Sequence, residues 1–113
     1  MTTTEKLQRI RSKCVELLEI AEKRTRGKWG TDGHEVVGIE QRPICNVSWT
    51  VHREGNAAFI TACAGPAEAA WKSTIAAIDG LTAILKLGPG VTDYSVAQHT
   101  ATHIISAWSD ELL

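Results

Sequence analysis

The sequence predicts an α+β fold: an N-terminal helix, an antiparallel β-hairpin, then a short helix and two longer C-terminal helices. Three observations lead there. An apolar stripe at helical spacing runs from Leu7 to Ala21, "ICNVSWTV" (44–51) alternates apolar and polar residues, and Gly65–Pro66 and Gly88–Gly90 cut the remainder into helices. With 113 residues the chain has enough surface to bury for one core and too little for two ordinary domains, so 1–113 is read as a single domain.

The first helix is expected over about 4–26. Leu7, Ile10, Cys14, Leu17, Leu18 and Ala21 fall on one face of a 3.6-residue repeat. Thr2 and Glu5 have the spacing of a capping box. Lys23, Arg24 and Arg26 sit where the macrodipole is negative, and Gly27 suits a left-handed stop.

A hairpin is expected over about 34–52. "HEVVGIE" supplies one β-rich run. In the second, Cys45, Val47, Trp49 and Val51 would share one face opposite Asn46, Ser48 and Thr50. "EQRP" has hairpin length, and Pro43 stands near a strand start, where its missing N–H is harmless. A short third strand around Lys28–Gly30 is suggested by Trp29 ahead of the turn-like "TDG".

Helices follow over about 56–64, 66–87 and 93–112. Asn56 is read as the cap of the first, Gly65 as its stop and Pro66 as the first residue of the second. In the second, Trp71, Ile75, Ile78, Leu81 and Leu85 form an apolar stripe. Gly80 costs about 1 kcal/mol there against alanine, so a close approach of another helix or a ligand is expected beside it. Thr92 or Ser95 opens the last helix, with Ala97, Ala101, Ile104, Ile105, Trp108 and Leu112 on one side.

Composition narrows the function. Twelve Lys and Arg against 13 Asp and Glu leave no basic field for sequence-specific nucleic-acid binding and no acidic excess to imitate DNA. No window reaches the roughly 18 consecutive apolar residues of a bilayer span, and "MTTTEKLQRIRSK" lacks the apolar core of a secretion signal. A cytoplasmic protein without membrane association is expected. Cys14, Cys45 and Cys63 are an odd number at wide spacing, which fits small buried hydrophobes better than a disulfide or zinc framework.

Few residues suggest chemistry. In "HTATH", His99 and His103 lie four apart on a helix, the spacing of a metal pair, yet nearly opposite the Ile104–Trp108 face and with no nearby third ligand; solvated or interface histidines are the ordinary alternative. Neither Cys45 nor Cys63 has a base close in sequence. Glu35, Glu40 and Glu54 flank strands and turns, where a solvated role is the default, and "GKWGTDG" lacks phosphate-loop spacing. No catalytic set and no cofactor are expected.

"KRTRGKW" offers a binding surface instead. It sets Lys23, Arg24, Arg26 and Lys28 beside Trp29, where cations can hold phosphate and a ring can stack on a base; Arg42 and Arg53, at the ends of the second strand, would add to it. The competing reading is a helix C-terminus decorated as the dipole favours, with Trp29 over the core. The other three tryptophans, Trp49, Trp71 and Trp108, fall on predicted apolar faces and are expected in a core or a homo-oligomer seam.

The order "GKW", strand, "REGNAAFITACAGP" and long helix resembles small accessory proteins of tailed phages and prophages, which carry a Trp-led β segment before an Asn-Ala-x-Phe/Leu-Ile-Ala-Ala turn-helix. Trp29, Asn56, Ala57, Ala58, Phe59, Ile60, Ala62 and Pro66 carry the resemblance, within about Gly27–Leu87. It implies a counter-defence gene and transfers no catalytic residue. Two partners are then expected as alternatives: a small nucleotide immune signal, sequestered by a homo-oligomer, or a host defence protein, inhibited directly as anti-CRISPR proteins do. A small metal-dependent enzyme using His99 and His103 is the third reading.

Overall fold

A computed structural model describes residues 1–108 and 110–113. Among these residues it is α+β, with four α-helices and a three-stranded antiparallel sheet. Two compact units emerge, one of Met1–Ile20 with Trp71–Leu113 and one of Ala21–Ala70. Among the described residues no helix is long and apolar enough to cross a membrane.

The first unit is helical. It holds most of α1 (Thr3–Glu22) and α3 (Pro66–Leu87), and all of α4 (Tyr94–Ala107). Leu7, Ile10 and Cys14 of α1 meet Ile78 and Leu81 of α3 and Ala97 and Ala101 of α4 in one buried cluster, with Trp71, Ile104 and Trp108 partly buried against it. The small side chains of Ala97 and Ala101 let α4 approach closely, so the large residues of the other two helices fill the space. At the edge, the Gln8 amide donates to the Thr82 hydroxyl at 3.3 Å, and Arg11 grips both oxygens of Asp79 at 2.7 and 3.2 Å. That hydrogen bond holds the Asp79 carboxyl below its ordinary value.

The start of α1 follows the capping reading: the Glu5 N–H donates to the Thr2 hydroxyl at 3.1 Å. Its end does not reach residue 26. The helix stops at Glu22, where the Arg26 guanidinium donates to the Glu22 carbonyl at 2.9 Å. Gly27 is left-handed, φ +93°, but lies five residues beyond the helix, and a Cβ there would meet Ile39 Cδ1 at 2.6 Å. The glycine is required by that approach and not by a helix cap.

The second unit is built on the sheet β1 (Gly30–Asp32), β2 (Glu35–Val37) and β3 (Pro43–Asn46), in the order β1-β2-β3. β1 stands two residues later than expected, and Gly33, φ +63°, makes the two-residue turn into β2. In β3 the pairing passes from Val36–Cys45 to Val37–Pro43, so Ile44 is one extra, bulged residue. α2 (Arg53–Cys63) packs on β1 and β2, burying Ala57 with Val36 and Val37.

The expected second strand to residue 52 is corrected. β3 ends at Asn46, whose side chain accepts from the Ser48 N–H at 2.8 Å, and the Thr50 N–H and hydroxyl both turn back to the Val47 carbonyl. This Asx turn competes with the ladder and wins. The alternation of Trp49 and Val51 is therefore not a strand face, and their exposures are 84% and 91%. Asn56 is not a cap either. α2 starts three residues earlier, and the Asn56 amide donates to the Thr50 hydroxyl at 2.9 Å.

Punctuation further on holds. Gly65, φ +91°, precedes Pro66 at the start of α3, and Gly88, φ +85°, follows its last residue. The expected helix over 93–112 is interrupted. α4 ends at Ala107, Ser109 lies outside the described residues, and Asp110–Leu112 forms a single 3-10 turn. The hydroxyls of Thr100, Thr102 and Ser106 each donate to the carbonyl four residues back, which loosens a helix near its end.

Among the described residues the close approach expected at Gly80 is absent: a Cβ there would meet nothing within 4 Å. Its cost in helix propensity is unreturned. Gly80→Ala is expected to raise stability by about 0.5–1 kcal/mol, read as a higher urea midpoint with an unchanged slope.

Candidate ligand-binding site

The cluster from Lys23 to Trp29 turns much of its charge inward. Arg24 pairs with Glu68 at 2.5 Å, donates to the carbonyls of Thr25 and Gly27, and lies 5.4 Å from the centre of the Trp29 ring. The Trp29 indole N–H donates to the Thr25 carbonyl at 2.8 Å. Both fix the turn after α1. Lys23 and Lys28 are exposed.

Arg26 and Arg42 do come together. With Thr25, Ile39 and Glu40 they line an open hollow of about 360 Å³. Each has an acidic neighbour, Glu68 at 3.9 Å from Arg26 and Glu40 at 3.6 Å from Arg42, so the local field is weak. Arg53 does not join them; it opens α2 and lines a separate hollow with Val51, His52 and Glu54.

The loop beneath Arg42 is strained. The Arg42 N–H donates to the Ile39 carbonyl, and both residues between, Glu40 and Gln41, have φ +59°, as a type I′ turn requires. Side chains at positive φ cost roughly 1–2 kcal/mol each. Gln41→Gly is expected to stabilise the second unit by about 1 kcal/mol, measured by chemical denaturation.

A further hollow lies in the helical unit, at residues the sequence reading did not single out as a site. Met1, Lys6, Arg9 and Ile10 at the start of α1, with Ile105, Trp108, Asp110 and Leu113, line a hollow of about 430 Å³. That volume lies in the range of small-molecule pockets, and the lining mixes apolar side chains with three charged ones. The α1 repeat explains the arrangement. Ile10 belongs to the buried stripe, and Lys6 and Arg9, four and one residues before it, flank that stripe three apart at its edge. Trp108, expected in core or seam, is partly buried against the cluster and also lines the hollow. Arg9 approaches Asp110 only to 4.0 Å, and the Asp110 side chain is almost fully exposed, so this pair holds the guanidinium weakly.

The remaining candidates are placed as follows. Glu35 lies in β2, Glu40 in the strained loop and Glu54 in the first turn of α2, at no shared point of chemistry. Burial pushes the Cys14 thiol above its ordinary value, away from nucleophilic use; Cys45 and Cys63 are partly buried and all three are free thiols. His99 and His103 are exposed on α4 with their Nε2 atoms 3.1 Å apart. Among the described residues no group of three or more His, Cys, Asp and Glu could hold a metal ion. The sequence matches no family model, and neither curated proteins nor solved structures provide a counterpart.

Proposed function

We propose that the protein is a non-catalytic binding protein that sequesters a small nucleotide, and that it does so at the Trp108 hollow. The observation carrying this reading is the conjunction of an aromatic ring, an apolar floor from Ile10 and Ile105, and the cations of Lys6 and Arg9 in one space of about 430 Å³. A base stacks on the indole and the phosphates meet the two cations, the division of labour that nucleotides elicit from proteins. In this reading it is a cytoplasmic phage-type accessory protein that withdraws a host immune signal. Self-association fits the exposed small residues of α3, Ser73, Ala76 and Ala83, which leave room for a second helix.

Isothermal titration with cyclic and linear mono- and dinucleotides tests the reading. Binding is expected, weakened at least about tenfold by Lys6→Ala or Arg9→Ala, a loss within the range for one charge-assisted hydrogen bond. Both side chains are exposed, so neither variant should disturb the fold. No heat with any nucleotide up to millimolar concentration sinks the proposal.

A second reading, direct inhibition of a host defence protein, is favoured by the exposed Trp49 and Val51 beside α2. Tryptophan is the residue type that most often anchors protein interfaces. A host protein captured at one-to-one stoichiometry, and lost with Trp49→Ala, would support it over sequestration.

A further inference from the structure

We propose that His99 and His103 form a bidentate site for a divalent transition-metal ion, separate from the Trp108 hollow. The two residues are one turn apart on α4, both exposed, with Nε2 of one 3.1 Å from Nε2 of the other and the ring planes at 83°. At metal–nitrogen bond lengths of about 2.0–2.1 Å, two nitrogens so spaced subtend an angle of about 100° at the ion. This lies between a right angle and the tetrahedral angle, so square-planar and tetrahedral ions both fit with little movement. Without metal, the Nε2–H of one ring can donate to Nε2 of the other. When the ion binds, that Nε2 proton passes through solvent to Nδ1 of the same ring, and rotation about the broad χ2 torsion turns the two Nε2 lone pairs onto a common point.

The setting favours an ion of intermediate softness. Imidazole nitrogen suits Cu²⁺, Ni²⁺ and Zn²⁺, and a site with no carboxylate does not suit Mg²⁺ or Ca²⁺. α4, "YSVAQHTATHIISA", contains no Asp, Glu, Lys or Arg, so no charge on its own helix competes for the ion or repels it. Water completes the coordination on the open side of the helix. The pair is spare to the fold, because the buried residues of α4 are Ala97 and Ala101 on its other face.

Equilibrium dialysis against Ni²⁺ tests the site. One equivalent is expected on the intact chain. His99→Ala and His103→Ala should each lower the affinity at least about tenfold, the scale on which even the outer partners of metal ligands act. Cys45→Ser with Cys63→Ser should leave uptake unchanged. With Cu²⁺, nitrogen hyperfine structure should report two imidazoles in the parent and one in each histidine variant. Both histidine variants place alanine on an exposed helix face, so circular dichroism should match the parent. Uptake that survives either histidine substitution, uptake that follows the cysteines, or no uptake at millimolar Ni²⁺ overturns the proposal.

Discussion

Replacing Ile78 by alanine is expected to lower the stability of the protein by about 3 kcal/mol, the largest effect of any single truncation considered. Ile78 has no solvent exposure, and it sits among Leu7, Ile10, Leu81 and the two buried alanines of α4. Truncation removes three carbons from that packing and leaves a space that Ala97 and Ala101 are too short to fill. Since small domains retain only about 5–15 kcal/mol, the loss is a large share of the total. Urea denaturation followed by circular dichroism should show the midpoint fall. Ile78→Val, which removes one methyl, should cost about 1 kcal/mol. An alanine variant within 0.5 kcal/mol of the parent would mean that the helices repack around the space.

Arg24→Ala is expected to cost about 2 kcal/mol and to release the turn after α1. The guanidinium and the Glu68 carboxylate are 20% and 18% exposed, so the pair is less screened than a surface ion pair but not fully buried. Removal of one partner from a fully buried pair costs about 3–5 kcal/mol, and the residual exposure here brings that down. Arg24 also satisfies two backbone carbonyls and covers Trp29, tasks a lysine cannot reproduce with a single ammonium group. Arg24→Lys should therefore recover little. The Trp29 indole proton, now bonded to the Thr25 carbonyl, is the local reporter: it should exchange faster with solvent in both variants. Unchanged exchange and stability would return Arg24 to the free surface.

These residues also show what could be read from sequence. The stops at Gly65 and Gly88 and the start at Pro66 were legible because a positive φ or a missing N–H is a property of one residue, whatever surrounds it. The α1 stripe was legible because its period is local. The strand to residue 52 was not, because Asn46 has two local options, ladder or Asx turn, and the choice depends on pairing with β2. The neighbours of Arg24 in sequence suggest a phosphate ligand or a dipole-favoured helix end; its pairing with Glu68, 44 positions away, is not visible there. The Trp108 hollow was hidden for the same reason. Its cations and its ring come from opposite ends of the chain, and only the three-residue spacing of Lys6 and Arg9 beside a buried stripe hinted at it.

The helical unit is discontinuous in sequence, and this fixes an order of events during synthesis. When Ala70 has emerged from the ribosome, the sheet and α2 have all the residues of their unit, while the helical unit has only its first twenty. Its stabilising links span long separations, such as the 68 positions from Arg11 to Asp79 and the 74 from Gln8 to Thr82. Closing such a loop carries its entropy cost before any packing returns it, and a middle segment already folded shortens the flexible chain to be closed. Until α3 and α4 appear, Leu7, Ile10 and Cys14 lack the partners of their buried cluster, so their apolar stripe stays uncovered. A chaperone, or another nascent copy, can therefore meet α1 at any point before Ile78, Leu81, Ala97 and Ala101 emerge to cover it.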